Sequence, residues 1–372
     1  MDSTAMSNTD SVNTLYFRPN AEQTLKEIKN SEAWDKFVLS HEQSGYCHLF
    51  NWTRVIRDAY GHRPVYLAAI KKNPRGARDT IAGILPLFRF KRFTGRPWLV
   101  SIPFFDTAGI LARDMKIKNF LFKKTGLLCY KKKYSGLELR QESALNIQDM
   151  KIAEAMPQVY TSKTGLLIEL PENQGKMLQK FKSKLRSQIK KGRKNGLSWE
   201  IGKRELLEPF YRVFSRNMRD LGSPVHSIKF FHAVFNHFYH DSFICVIYYR
   251  SKPVAGSFMF RFKKRLANPW ASSVREFRHL NANVYLYWQM MRFACNMGIK
   301  VFDMGRSSFG APTYKFKKQW GPVENPIFWY GWNFKGNGKG LFNENLSMES
   351  WKRLPVGMAN FVGPFLRKHI SL

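Results

Sequence analysis

Two short apolar patterns occur twice in the chain, in the same order. Residues 81–84 (Ile-Ala-Gly-Ile) match residues 254–257 (Val-Ala-Gly-Ser) at an offset of 173, and residues 136–139 (Gly-Leu-Glu-Leu) match residues 298–301 (Gly-Ile-Lys-Val) at an offset of 162. Two similar offsets in one order indicate a duplicated unit. A chain of 372 residues is also long enough for two lobes with a core in each. The repeat therefore predicts two related α/β lobes.

Apolar periodicity and turn residues place the same kinds of element in both halves. In the first half we predict helices over residues 31–40, 49–60 and 116–132, and strands over 65–70, 81–90, 99–104, 109–111 and 137–139. In the second half we predict strands over 243–249, 254–262, 266–272 and 301–302, and a helix over 283–297. The last helix is apolar nearly all round, which is typical of a core element.

The chain carries a large excess of positive charge. It has 61 Lys and Arg against 27 Asp and Glu, a formal net charge of +34. Such a charge attracts polyanions: nucleic acid, anionic lipid headgroups, acidic polysaccharide or a phosphate-bearing donor. A hydrophobic content of 44% excludes a wholly disordered chain, but the charge does not choose among the polyanions.

Four cysteines, Cys47, Cys129, Cys245 and Cys295, lie far apart without a Cys-x-x-Cys pair. We interpret them as reduced core residues and expect neither zinc nor a disulfide framework. The first 14 residues are polar and lack the basic and apolar regions of a secretory signal. Since no apolar run approaches 18 residues, nothing is expected to span a bilayer. We expect a cytoplasmic protein that is in contact, at most, with the membrane surface.

Residues 176–194 carry nine basic side chains and no acidic one. Apolar residues recur among them at spacings of three or four, which predicts one helix with an apolar stripe and a cationic face. The stripe consists of Met177, Leu178, Phe181, Leu185 and Ile189. A polyanion-binding face is one interpretation, because a solvated face usually mixes charges of both signs. A solvated charged face is the other.

Residues 298–321 combine an apolar strand, a turn and a cationic, aromatic segment. Val301 and Phe302 predict a buried strand, and Gly305 allows a sharp turn after it. Lys317 then lies between aromatic residues, where a cation can meet a phosphate or a developing oxyanion. The alternative is a solvated loop beside a core aromatic residue.

This segment resembles the closing motif of the FemAB family, in which Asp-x-Gly-x is followed by a Phe-Lys pair and an aromatic-Gly pair. Here the three parts are residues 303–306, 316–317 and 320–321. The strings 268–273, 286–288 and 313–321 are also similar to the FemAB-like branch associated with PEP-CTERM/exosortase and exopolysaccharide loci. The resemblance covers roughly residues 30–335 and implies a doubled GNAT (N-acetyltransferase-like) fold.

The fold class implied is α/β (α+β), with two tandem GNAT-like lobes of mostly antiparallel, mixed sheets and flanking helices. We assign residues 1–14 to a disordered N-terminus and residues 15–165 to the first lobe. Residues 166–334 form the second lobe, which opens with the basic helix. Residues 335–372 are predicted to be a linker, at 335–340, and a basic-aromatic tail.

The resemblance also implies roles for single residues. Lys317 is expected to act on the negative charge of the substrate or tetrahedral intermediate, and Arg186 to contact a phosphate. Asp106 resembles the Pro-x-x-Asp segment that lines the acceptor site, with a turn residue as the alternative. Asp303 is expected to orient Arg306 or Lys317, or else to form a structural salt link. The remaining expected substrate contacts are Lys184, Lys190, Arg306, Tyr314, Phe316 and Trp320.

Family resemblance thus favours an aminoacyl- or acyltransferase that modifies a lipid-linked saccharide, peptidoglycan or exopolysaccharide precursor. No tightly bound cofactor is expected, and the donor is aminoacyl-tRNA or acyl-CoA. The glycine-rich turn of CoA-using GNAT enzymes is absent from residues 225–227 and 271–280. The histidines at 226, 232, 237 and 240 scatter around a helix and predict no metal site. A non-catalytic protein that binds nucleic acid or an anionic surface is the alternative function.

The C-terminal tail interleaves apolar and basic residues. Pro355 and Pro364 are expected to break it into short pieces. One interpretation is an interfacial segment at an anionic membrane, and the other is a cap that completes the core of the second lobe.

Overall fold

The structure is a computed structural model that describes residues 23–72, 79–93, 95–145, 151–152, 155–334 and 348–371. The predicted disordered segment 1–14 and the predicted linker 335–340 lie outside these residues. The described chain forms two mostly antiparallel sheets with flanking helices, which confirms the predicted fold class.

The strands in chain order are β1 (Gln23–Glu27), β2 (Arg63–Lys71), β3 (Thr80–Phe90), β4 (Trp98–Ser101), β5 (Leu111–Ala112), β6 (Gly136–Gln141), β7 (Gln158–Tyr160), β8 (Lys163–Glu169), β9 (Leu197–Gly202), β10 (Ser242–Tyr249), β11 (Lys252–Phe262), β12 (Arg265–Ser273), β13 (Val301–Ser308), β14 (Val323–Pro326) and β15 (Phe328–Asn333).

The α-helices are α1 (Ser31–Ser40), α2 (Trp52–Tyr60), α3 (Met115–Lys131), α4 (Gln174–Lys180), α5 (Ser183–Lys194), α6 (Leu207–Asp220), α7 (Ile228–Phe238), α8 (Ala282–Asn296), α9 (Pro312–Lys318), α10 (Glu349–Lys352) and α11 (Val356–Arg367). A 3₁₀ turn, Arg275–Leu280, precedes α8.

Both sheets repeat one plan. The first has the order β1-β2-β3-β4-β6-β15-β7, with β5 beside β3, and the second has the order β14-β8-β13-β12-β11-β10-β9. Each contains one parallel pair, β4 with β6 and β12 with β13, and a helix, α3 or α8, lies between the two paired strands in the chain. A parallel connection needs such a crossover. The common order agrees with the repeat in the sequence.

The two lobes exchange strands. β8 comes before the second lobe's other strands and pairs with β13, whereas β15 follows them and pairs with β6 of the first sheet. The boundary expected between residues 165 and 166 therefore falls inside β8, and residues 328–333 belong to the first sheet. Apolar periodicity could not show this, since it identifies a strand but not its neighbour.

An aromatic core lies between the lobes. The Trp52 ring of α2 is 4.8 Å from the Phe238 ring of α7 and 4.5 Å from the Phe105 ring. Tyr46 stacks on Phe260 of β11 at 5.1 Å. Such rings bury large apolar areas and pair in preferred geometries. This cluster joins the lobes into one packed unit, while separate clusters fill the far face of each sheet.

The predicted basic helix is two helices. Phe181 ends α4 in an extended conformation (φ −85°, ψ 144°), and its ring packs 5.2 Å from the Trp320 ring. Burial of this ring requires a turn at the point where periodicity predicts a continuous helix. The predicted apolar stripe is confirmed, because its members pack in the second-lobe core. The prediction that residues 303–306 leave the strand was wrong, since β13 continues to Ser308 with an irregularity between Asp303 and Arg306.

The tail packs on the body of the protein. Helix α11 contains Pro364, so the prediction that Pro364 breaks the segment was wrong, whereas Pro355 does precede the helix. The Leu354 carbonyl accepts from Arg219 of α6 (2.8 Å), and the Ser371 carbonyl accepts from the Phe104 amide of the first lobe (2.7 Å). The tail therefore contacts both lobes, not the second lobe alone.

All four cysteines are free and buried, as predicted. Among the described residues, no helix combines the length and the apolar character needed to cross a membrane.

A buried ion pair organises the first lobe. Arg140 and Glu138 of β6 are both fully buried, and Arg140 Nε donates to Glu138 Oε1 (2.9 Å). Arg140 Nη1 also donates to the carbonyls of Ile102 (3.2 Å) and Phe105 (2.6 Å). Arg140 therefore holds the 102–106 loop through its backbone.

We expect Arg140→Met to lower the free energy of unfolding by about 3 to 5 kcal/mol, because it leaves the buried Glu138 carboxylate with Arg92, at 3.4 Å, and the Ser371 hydroxyl, at 3.5 Å. Urea denaturation at pH 7 measures the change. Arg89→Met on the exposed side of β3 is the control, expected within about 0.5 kcal/mol of wild type. A loss for Arg140→Met no larger than that of the control would contradict the assignment.

Candidate active site

The site begins where the parallel pair of the second sheet separates. β12 and β13 pair over only three residues, from Arg265↔Val301 to Ala267↔Asp303. Beyond that point β12 pairs only with β11 and β13 only with β8. The two facing edges line a cavity of about 800 Å³. Backbone groups along separated edges can hydrogen bond with an extended ligand as a further strand would.

Asn268 lies at the point of separation. Only one orientation of its amide satisfies the neighbouring groups. In that orientation the nitrogen donates to the Asp303 carbonyl (2.8 Å), and the oxygen accepts from the Tyr287 hydroxyl (3.3 Å). The side chain therefore takes the place of the next ladder bond and keeps the strands apart.

Lys317 lies in the wall of this cavity, on the short helix α9. Its side chain is buried, with the residue 8% exposed, and Nζ donates to the Arg306 carbonyl (2.8 Å). Gly305 has φ +69°, and a Cβ there would lie 4.0 Å from Lys317 Nζ. Burial lowers the pKa of Lys317 to about 8, against the opposing effect of the Asp106 and Asp303 charges. The sequence predicted this lysine, but on a segment after a strand and not on a helix.

Asp106 and Arg306 form an ion pair across the lobes. Asp106 comes from the loop after β4, and its carbonyl accepts from Trp329 Nε1 of β15 (2.9 Å). The Arg306 guanidinium lies 5.1 Å from the centre of the Trp329 ring. The pair thus depends on the loop held by Arg140 and on the exchanged strand.

Asp303 has other partners than those expected. Its Oδ1 accepts from the Gly305 amide (2.8 Å), and its Oδ2 lies 3.9 Å from Arg265 Nη1. Neither Arg306 nor Lys317 donates to this carboxylate. Asp303 therefore shapes the turn below Lys317 and acts on the lysine through its charge.

Of the other residues predicted to bind substrate, some line the cavity and some lie outside it. Phe316 and Arg306 line the cavity. Tyr314 donates to Glu324 (2.7 Å), and the Trp320 ring is buried beside Phe181 and is 6.1 Å from the Tyr287 ring. Neither of these two lines the cavity. Lys184, Arg186 and Lys190 lie on α5, also outside the cavity, with Arg186 half-buried and both lysines exposed.

The amino end of α8 is also part of the wall. Asn281, Ala282 and Asn283 line the cavity, and no side chain caps this end of the helix. Free amides at a helix amino end attract phosphate. The absence of a glycine-rich turn in the sequence therefore does not remove a phosphate-binding geometry here.

Sequence reasoning missed Arg367 and His226, which line the cavity from α11 and from the segment before α7. No local motif surrounds either residue, so no sequence signal marked them. Among the described residues, no group of three or more His, Cys, Asp or Glu is arranged to hold a metal ion.

Comparisons with known proteins relate this geometry to a known fold. Residues 179–318 match the family described as acetyltransferase (GNAT) domain. The structure resembles that of FemX with a TM-score of 0.62 at 14% identity, over 82% of this chain and 96% of that chain. A tandem GNAT protein from the clavulanic acid biosynthesis pathway matches with a TM-score of 0.52 at 10% identity, over 85% of this chain and 100% of that one.

A third similar structure is the C-terminal domain of a putative lysylphosphatidylglycerol synthetase from Agrobacterium fabrum. It has a TM-score of 0.52 at 10% identity and covers 83% of this chain and 91% of that chain. A search of curated protein sequences found no match. Residues 179–318 of the second lobe therefore match a GNAT domain, in a fold similar to that of tandem GNAT proteins, which indicates an acyltransferase.

Proposed function

We propose that the protein transfers an acyl or aminoacyl group to an amine or hydroxyl of a cell-envelope or exopolysaccharide precursor. The observation that carries this proposal is the buried Lys317 amine in the wall of the cavity between β12 and β13, beside the Asp106–Arg306 pair. A saccharide or peptidoglycan precursor on a lipid carrier is the acceptor, and the donor is aminoacyl-tRNA or acyl-CoA.

The residues present fit acyl transfer. The acceptor nitrogen or oxygen adds to the acyl carbonyl carbon, and the carbonyl oxygen becomes an oxyanion that the Lys317 ammonium stabilises. Asp106, which lines the cavity, accepts the proton released by the nucleophile. The carbonyl then re-forms, the bond from the acyl carbon to the donor's oxygen or sulfur breaks, and the departing atom takes up the proton that the aspartic acid holds. Separation of β12 from β13 leaves the space in which these groups meet.

Both donors carry phosphates, and two features suit them. The amino end of α8 faces the cavity, and the cations of α4 and α5 form an exposed face outside it. A tRNA would contact the exposed face through many phosphates, so its binding would depend steeply on salt. A CoA thioester would place few phosphates at α8. The exposed cationic face also favours the second candidate function, a non-catalytic polyanion-binding protein.

The outer face of α11 fits a membrane surface, where a lipid-linked acceptor would be found. Phe361 is 75% exposed and Phe365 is 68% exposed, with Met358 beside them in the same apolar face. Arg353 and Lys368 flank this face in the chain and are exposed. An apolar helix face with flanking cations suits an interface with anionic headgroups.

We expect Lys317→Ala to lower turnover on the order of a hundredfold, because the oxyanion loses its nearest cation. Folding should be retained, since the variant removes a charge whose burial is costly. Purified protein would be assayed with labelled aminoacyl-tRNA and, separately, acyl-CoA, in the presence of lipid-linked sugar precursors. The exposed Lys315 of the same helix supplies the control, Lys315→Ala. Wild-type turnover in a folded Lys317→Ala protein would refute the role.

The same assays separate the two candidate functions. An acyltransferase shows saturable transfer from one of the two donors. A polyanion-binding protein shows no transfer from either donor, and its nucleic-acid affinity falls steeply with salt and is spread over many cations.

The dependence of turnover on pH should reflect the protonation state of Lys317. Since the pKa of Lys317 is lowered to about 8, its ammonium is present below that pH and lost above it. Turnover should therefore fall as the pH rises through about 8. In Lys317→Arg this alkaline limb should move upward, because a guanidinium stays protonated. An unchanged limb in Lys317→Arg would assign the titration to another group.

We expect the protein to sediment with phosphatidylglycerol vesicles and not with phosphatidylcholine vesicles. Each cation near an anionic surface contributes about 1 kcal/mol, and the exposed rings add apolar burial. Phe361→Ser with Phe365→Ser should reduce sedimentation without unfolding, because both rings are exposed. Leu39→Ser, at an exposed apolar position of α1, is the control. Equal sedimentation of the double variant and the control would exclude this face.

A further inference from the structure

Arg367, the last residue of α11, enters the cavity wall from the C-terminal tail. Its side chain is half-buried and lines the cavity together with Phe104 and His226. Nε donates to His226 Nε2 (3.2 Å), and the guanidinium lies 5.4 Å from the centre of the Phe104 ring. The backbone of the next residue is held as well, since His62 Nε2 donates to the Lys368 carbonyl (3.0 Å).

His226 orients this guanidinium without neutralising it. An arginine can only donate, so His226 Nε2 must accept. The other ring nitrogen, Nδ1, then carries the proton and donates to the Tyr60 oxygen, 2.6 Å away. Burial lowers the pKa of His226 well below its usual value, so the imidazole is neutral at pH 7. The bond uses Nε only, and among the described residues no hydrogen bond takes up the two Nη groups.

The charges around this end of the cavity do not balance. Arg140 is paired with Glu138, and Arg306 is paired with Asp106. Within the described part of the chain, no carboxylate forms an ion pair with Arg367. Burial lowers the pKa of Arg367 to about 10, with the Arg306 and Arg140 charges acting in the same direction and Tyr60 and Asp106 opposing them. The group still remains charged at pH 7. Holding an unpaired cation in such a place is costly for folding alone.

We propose that Arg367 is an anion subsite of the cavity, where its two Nη groups bind a carboxylate or phosphate of the acyl acceptor. The planar fork of a guanidinium matches two oxygens of either group. That the anion belongs to the acceptor rests on the proposed transfer function, in which the amino end of α8 binds the donor phosphates. The subsite itself rests on the unpaired guanidinium and the cavity that it faces.

Arginine labelling of the full wild-type chain tests the subsite without requiring turnover. The chain is treated with phenylglyoxal alone, with inorganic phosphate or with succinate, and the modified arginines are identified by mass spectrometry. We expect one of the two anions to slow modification of Arg367 roughly tenfold or more, because an anion bound to both Nη groups blocks the guanidinium from the reagent. Arg353, exposed on the same tail, is the internal control and should react equally in all three samples.

The outcome also distinguishes the two chemistries. Protection by phosphate assigns a phosphate group, and protection by succinate assigns a carboxylate. If neither anion protects Arg367, or if Arg367 does not react even in the free protein, the proposal is overturned. If Arg367 is protected but no donor supports transfer, the subsite stands and the proposed function falls.

Where transfer is detected, a second measurement applies to the acceptor. Arg367→Gln should raise the KM for the acceptor roughly tenfold with a smaller effect on kcat, and Arg367→Lys should recover part of the loss. Arg54→Gln, at an exposed position of α2, should leave both constants unchanged. An acceptor KM in folded Arg367→Gln equal to that of Arg54→Gln would overturn the assignment.

Discussion

The buried pairing of Arg140 with Glu138 supports more of this molecule than any other single interaction described. Through Arg140 Nη1 it holds the loop that carries Asp106, and through Nη2 it reaches the Ser371 carbonyl at the end of the tail (3.3 Å). A fully buried ion pair adds little stability compared with an apolar pair, but removal of one partner lowers the stability strongly. The pair is therefore better explained by the loop and the tail that it positions than by a gain in stability. One guanidinium fixes both the loop that carries Asp106 and the tail.

The site is assembled from parts that no single lobe contains. The second lobe supplies Lys317 and Arg306, the first supplies Asp106, and the tail supplies Arg367. The aromatic core between the lobes keeps these groups in register, because packed rings resist sliding. A cavity walled by both lobes and the tail can bind two substrates on different sides of one reacting centre. This arrangement suits group transfer better than it suits a flat polyanion-binding surface.

Much of the architecture could be predicted from the sequence. Apolar periodicity placed α3, α8 and the strands β2, β3, β11 and β12 within a few residues of their observed bounds, because each has a strong local pattern. The motif around Lys317 identified the residue that lies in the cavity. The Asp106–Arg306 pair, in contrast, joins residues 200 positions apart in the chain. Local patterns carry no information about such a contact, nor about the partner of β15.

Arg367 shows the same limit more clearly. In the sequence it is one cation among several in a basic-aromatic tail, and the natural interpretation is an outward-facing charge. The structure turns it inward, while Phe361 and Phe365 of the same helix remain exposed. Which side of a short helix faces the protein depends on its docking site, here α6 and the Phe104 loop.

The exchange of strands has a consequence for synthesis of the chain. β6 lies between β4 and β15, so its second edge is unpaired until residue 333 has left the ribosome. By then the strands of the second sheet from β8 to β14 have already emerged. The first sheet therefore stays incomplete, with an unpaired edge at β6, while all strands of the second sheet are available to pair. An unpaired edge can pair with strands of other chains. The time during which β6 is exposed to such pairing is the time needed to translate the roughly 190 residues from β6 to the end of β15.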